Sequence, residues 1–207
     1  MTRESDASAP SGQNSDRALI QAVRNVAALN LGYFGIEFAV AIAIGSVALF
    51  ADSVDFLEDG AVNLLILAGL GFSAARRAKL GMLLAVIILI PALATLSTAW
   101  QNISTGLVPD PVALTVTGLG ALAVNFTCAR LLAPFRAAGG SLTRAAFLSA
   151  RNDVVANIAI VVAGLLTAAT ASRWPDLVVG LGIAALNAGA AHEVYEAARA
   201  EHVAAKP

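Results

Sequence analysis

Asp52, Asp55, Glu58 and Asp59 crowd the middle of an otherwise apolar stretch, residues 48–65, ALFADSVDFLEDGAVNLL. A carboxylate at the centre of a bilayer costs roughly 2.5–3.5 kcal/mol on insertion scales. Four facing lipid would cost on the order of 10 kcal/mol, comparable with the whole stability of many proteins. These acids must therefore face protein, water or a bound cation. On a helix advancing about 100° per residue, Asp52, Asp55, Asp59 and Asn63 fall within roughly 80° of one another, with Glu58 just beside them. A second unusual stretch, FLSARNDVVANIAIVVAG, covers residues 147–164. Its Ser149, Asp153 and Asn157 are spaced i, i+4, i+8, so they stack on one face, with Asn152 beside them. Divalent cations prefer carboxylate, carbonyl and water oxygens, and two such faces could enclose one.

The elements that must position these residues are membrane helices. The 207 residues are 58% hydrophobic and 13% charged, with mean hydropathy +0.76, far from soluble averages. Six apolar runs of spanning length follow one another. They cover about 25–45, 46–73, 80–100 (with Pro91 as a kink), 112–132, 141–171 and 176–195. The expected fold is an all-α integral membrane protein of six transmembrane helices. Residues 1–16 are polar, lack the apolar segment of a secretory leader, and read as a disordered cytoplasmic tail. Residues 17–198 form the membrane domain, and 199–207 a short tail with no room for a soluble domain.

Basic residues set the orientation. Arg3, Arg17 and Arg24 precede the first span, and Arg76, Arg77 and Lys79 follow the second. Arg136 and Arg144 lie between the fourth and fifth spans, Arg199 and Lys206 after the last, while the three alternate links hold only Arg173. This alternation predicts cytoplasmic N- and C-termini, as in a bacterial inner membrane. Trp100 and Trp174 fit interfacial anchors. In this arrangement Asp153 lies about ten residues into its span from the cytoplasmic end, and Asp55 about nine from the outer end of its own. Those are depths of roughly 15 and 14 Å at 1.5 Å per residue. The two acidic faces therefore meet near one level.

Other polar groups have their own readings. Glu58 and Arg151 share a depth on the cytoplasmic side of the site and predict a structural salt bridge. Glu37, with Asn30, either polarises the approach to the site or holds the second span. His192 and Glu196 are spaced i, i+4, a spacing that could bind a metal but better fits a solvated helix end. Cys128 is a small core residue without a disulfide partner. No nucleophile–base pair, Gly-rich phosphate loop or His-rich hydrolytic site appears, which argues against an enzyme, and the net charge of −1 gives no sign of nucleic acid. Internal hydrogen bonds could also satisfy the acids, which would make the chain a non-transporting subunit or scaffold with a degenerate site.

GSVALFADSVDFLEDGAVNLL closely resembles the second span of the cation diffusion facilitators, whose pattern is roughly GSxALLADAxHxxxD. Asp55 stands at the His of that pattern, or at the first Asp of its DxxxD variants, and Asp59 at the final Asp. SARNDVVANIAIVVAG resembles the fifth-span HxxxD motif, with Asp153 at the acid and Ser149 at the usual His or Asp. Glu37 in GIEFAVAIAIGS matches the first span. The resemblance runs from about Asn30 to Arg199 and lacks the usual cytoplasmic ferredoxin-like domain. It implies export of divalent metal, commonly zinc, in exchange for protons, because metal and protons compete for the same oxygens. It implies a metal set of Asp55, Asp59, Asp153 and Ser149, with Asp52, Glu37, Asn152, Asn157 and Asn63 in support or along the pathway. The metal is the transported substrate and no cofactor is held permanently. The partners implied are protons, the lipid bilayer and a second copy in a homodimer.

A ligand set without imidazole shifts preference from zinc toward harder ions such as manganese, iron(II) or cobalt. Replacing Ser149 by His is expected to raise zinc transport relative to manganese, measured side by side with wild type. An unchanged ratio in a folded, active variant would remove Ser149 from the ligand set.

Overall fold

A computed structural model describes residues 10–69, 94–136 and 140–187, and these are helical apart from short connections. The helices are α1 (Pro10–Ile44), α2 (Val47–Gly69), α3 (residues 94–105), α4 (Pro111–Leu132), α5 (Gly140–Thr170) and α6 (Trp174–Asn187). α1 packs chiefly on α2 and α4 on α5, and the two pairs meet through α1 against α4 and α2 against α5.

The distribution of side chains is that of a bilayer protein. Val112, Val116, Leu119 and Phe126 on α4, and Val155, Ile158, Val162 and Leu165 on α5, are exposed. Asn30, Glu37, Asp52, Asn63 and Asn157 are fully buried. Lipid tails are as apolar as Leu, so outward apolar faces cost nothing there, while polar groups must find partners inside. Three described helices are long and apolar enough to cross a membrane: Asp16–Ile44, Pro111–Phe135 and Ala146–Thr170. α2 has 23 residues, enough for about 34 Å, and only its four acids set it apart in composition. Trp100 and Trp174 are 71% and 57% exposed, as interfacial anchors require.

Local signals account for most boundaries. α4 begins with Pro111 behind Asp110, whose carboxylate accepts from Ala113 N–H at 2.7 Å, the usual N-cap arrangement. α3 runs on to Thr105, past the expected end at Trp100, because Ser104 and Thr105 return their hydroxyls to helix carbonyls and Gly106, at φ 75°, supplies the left-handed stop. α5 ends where Ala171 turns to φ 48°. The expectation for the N-terminus is corrected: the tail read as disordered over 1–16 is helical from Pro10. Further along α1, Leu19 and Val23 pack with Cys128, Leu132, Ala146 and Ala150, so tertiary contact supports the helix as far back as Leu19, ahead of the first apolar run. Residues 1–9 and 199–207, most of the third span with Pro91, and His192 and Glu196 lie outside the described residues.

The α1–α2 turn is the most heavily tied point. Gly45 takes φ 68° and Ser46 follows it. The Ser46 hydroxyl accepts from Leu49 N–H at 3.1 Å and donates to Asp176 Oδ1 at 2.6 Å. Val47 and Ala48 N–H also donate to the Asp176 carboxylate, at 2.8 and 3.2 Å. One buried acid on α6 thus satisfies two orphan donors of the α2 N-terminus and complements its dipole. From α3, Asn102 Nδ2 donates to Gly45 O at 2.6 Å. α6 reaches this point because Gly180 has no side chain: a Cβ there would lie 2.5 Å from the Val47 carbonyl carbon. Replacing Asp176 by Ala should cost about 1–3 kcal/mol, the penalty for stranding buried donors, and should lower the melting temperature of the detergent-solubilised protein. An unchanged melting temperature would deny the clamp.

Candidate metal centre

α2 and α5 bring their polar stripes face to face inside the bundle. Ser149 Oγ donates to Asp59 Oδ1 at 2.9 Å. The Asp153 carboxyl, one turn further along α5, lies within hydrogen-bonding reach of the Asp59 carboxyl. Two carboxylates are both acceptors, so they meet at that range only with a proton or a cation between them. Asn63 keeps its Nδ2 on the Asp59 backbone carbonyl at 2.7 Å, bracing the helix below the acid. Asp55 is only partly buried and lies within electrostatic range of Asp153. Among the described residues no three His, Cys, Asp or Glu side chains form a group able to hold a metal ion. The structure therefore joins Asp59, Asp153 and Ser149, and does not gather Asp55 with them into a three-carboxylate group.

A second polar set continues from this one along the same helices. Asp52 Oδ2 accepts from Asn157 Nδ2 at 2.6 Å, and Asn157 Oδ1 accepts from Asn125 Nδ2 at 3.0 Å. α5 thus presents Ser149, Asp153 and Asn157 to Asp59 and Asp52 in order, as i, i+4, i+8 spacing requires. Glu37 on α1 reaches the Asp52 carboxyl from the other side. Cys128 Sγ lies 3.5 Å from Asn30 Oδ1, a weak contact that leaves the thiol a core group.

Two expectations are corrected. Glu58 and Arg151 form no ion pair: Arg151 is exposed and its guanidinium donates to Asn152 Oδ1 at 3.3 Å. Depth alone suggested the pair, but two residues along a helix is about 200°, so Arg151 points roughly 160° away from Asp153. Asn152 is likewise exposed, about 100° from Asp153, and does not join the site. Asn125 is the residue that sequence reasoning missed. The signal was present, since an amide in mid-span needs a partner for the same reason as an acid. Tyr33, whose hydroxyl donates to Thr117 O at 2.6 Å, joins α1 to α4 and was missed as well.

Residues 23–199 match the family model described as the cation efflux transmembrane domain. None of the curated proteins compared with the chain matches it.

The Asn125–Asn157–Asp52 relay predicts energetic coupling. Asn125→Leu and Asn157→Leu should each destabilise the protein by about 1–3 kcal/mol, because each strands a buried partner. The double variant should fall short of the sum by about 0.5–3 kcal/mol, read from a double-mutant cycle of unfolding in detergent. Strict additivity would mean that the relay is not formed.

Proposed function

Because the chain belongs to the cation efflux family, whose members are transporters and not enzymes, we propose that it exchanges divalent metal cations for protons across the membrane. The metal passes through a site of Asp55, Asp59, Asp153 and Ser149 between α2 and α5. The observation that carries this reading is the meeting of Asp59 with both Ser149 and Asp153. A carboxyl pair held together by a proton is the state that competes with metal. A dication takes both groups as ligands only by displacing that proton, so loading one releases the other. Asp55, partly exposed one turn from Asp59, closes on the ion when it arrives, which makes the ligand set complete only with cargo.

The direction is export from the cytoplasm, with six spans, both termini cytoplasmic, in a bacterial inner membrane and as a homodimer. Zinc is the default cargo, and the all-oxygen ligands raise the relative standing of cobalt, iron(II) and manganese. A second reading, a non-transporting subunit with a degenerate site, draws on the described arrangement of two carboxyls and a hydroxyl without a third acid.

Purified protein in proteoliposomes separates the two. A zinc gradient should drive proton movement, read by an internal pH dye, and Asp153→Asn should reduce it more than about tenfold, the loss expected when a charged ligand is removed. Zinc-insensitive protons in the folded wild type would favour the scaffold.

A further inference from the structure

Glu37 and Asp52 form a buried acid pair that the metal centre does not use. Both are 0% exposed, and the carboxyl of one lies within hydrogen-bonding reach of the other. Yet neither oxygen of Glu37 accepts from any donor, and Asp52 Oδ1 accepts from none. A buried carboxylate with no donor is among the most costly groups a protein can hold, so three such oxygens together require something that binds between them. The surroundings say what it is. Asn157 turns its NH2 toward Asp52, and its oxygen accepts from Asn125 Nδ2. A metal ion would need further oxygens aimed inward, whereas the relay aims hydrogens inward. A pair of carboxyls within hydrogen-bonding reach of each other, with no other donor on these oxygens, fits one proton between them.

We propose that Glu37 and Asp52 share one bound proton and constitute a proton site separate from the metal carboxylates. The titratable groups facing it are Tyr33 on α1, Asp55 and Asp59 on α2, and Asp153 on α5. α4 faces it with the neutral Asn125, by way of Asn157. The Tyr33 hydroxyl is committed to Thr117 O at 2.6 Å and does not serve as a donor to the pair. All the charged neighbours are acids, so a cation at Asp59 and Asp153 lowers the negative potential at the pair and favours release of its proton. Metal arrival at one place and proton departure at another are thereby linked through the field along α2. This extends the exchange reading by giving the counter-ion its own seat.

The test uses the whole chain, metal-free, in detergent. Infrared difference spectra between acid and alkaline buffer read the carbonyl stretch of protonated carboxylic acids, and zinc binding is measured on the same samples. A band present in wild type should be absent in both Glu37→Gln and Asp52→Asn. Gln and Asn keep the shape and supply the missing donor, and zinc affinity, tied to the pair only through the field, should fall by less than about tenfold. Persistence of every wild-type acid band in both variants overturns the proposal. So does loss of zinc binding beyond about tenfold in a folded variant, which would make the pair part of the metal site. The spectra decide this whether or not the wild type transports zinc. If it does, Glu37→Gln should keep zinc movement down its own gradient while its proton counterflow falls.

Discussion

Hydrocarbon offers no partner to a charge or an amide, and that constraint arranges everything else in this protein. α2 carries four acids through a stretch long enough to span, so its neighbours are chosen by what they can offer them. α5 supplies a hydroxyl, an acid and an amide in register, α1 supplies Glu37, and α4 reaches the set only by way of Asn157. The outer faces are left apolar and unspecific, and specificity of assembly sits on the inner polar seam. Hydrogen bonds between membrane helices are worth about 0.6–2 kcal/mol each, so the seam selects a register more than it supplies bulk stability.

Depth was legible in the sequence and rotation was only partly used. Counting residues from each span end puts Asp55 level with Asp153, whereas the direct contacts of α5 are with Asp59, one turn further along α2; the i, i+4, i+8 spacing gives α5 its inward face. The same wheel, applied to Arg151, places it on the far side of α5; matching it to Glu58 by depth alone gave a pair that does not form. Span limits were legible where a cap or a breaker marks them, as at Asp110–Pro111. They were not at the start of α1, where composition turns polar although the backbone remains helical and Val23 finds a buried site against α4 and α5. Asp176 was legible only as the first residue of a span. Its role depends on a contact with Ser46, 130 positions away, that no local pattern encodes.

Four acids in the bundle, Glu37 with Asp52 and Asp59 with Asp153, meet another acid rather than a base, and that is unusual for a structural core. Arg and Lys are absent from the described inner seam, so what stands between its paired carboxyls is a proton or a small cation. A protein meant only to be stable would have been served as well by Leu at these positions. The arrangement is suited to a passage through which positive charge comes and goes.

The clamp at Ser46 gives the α1–α2 hairpin a fulcrum. Asp176 and Asn102 hold the turn, while Asp52 and Asp59 sit five and twelve residues beyond Val47. At 1.5 Å per residue these are lever arms of about 7.5 and 18 Å, so a tilt of about 5° moves the two acids by about 0.7 and 1.6 Å. The longer stroke is enough to break the Asp59–Ser149 contact of 2.9 Å. The shorter one leaves Asp52 within reach of Asn157. A single rocking motion about the turn would therefore part Asp59 from Ser149 while Asp52 stays with Asn157.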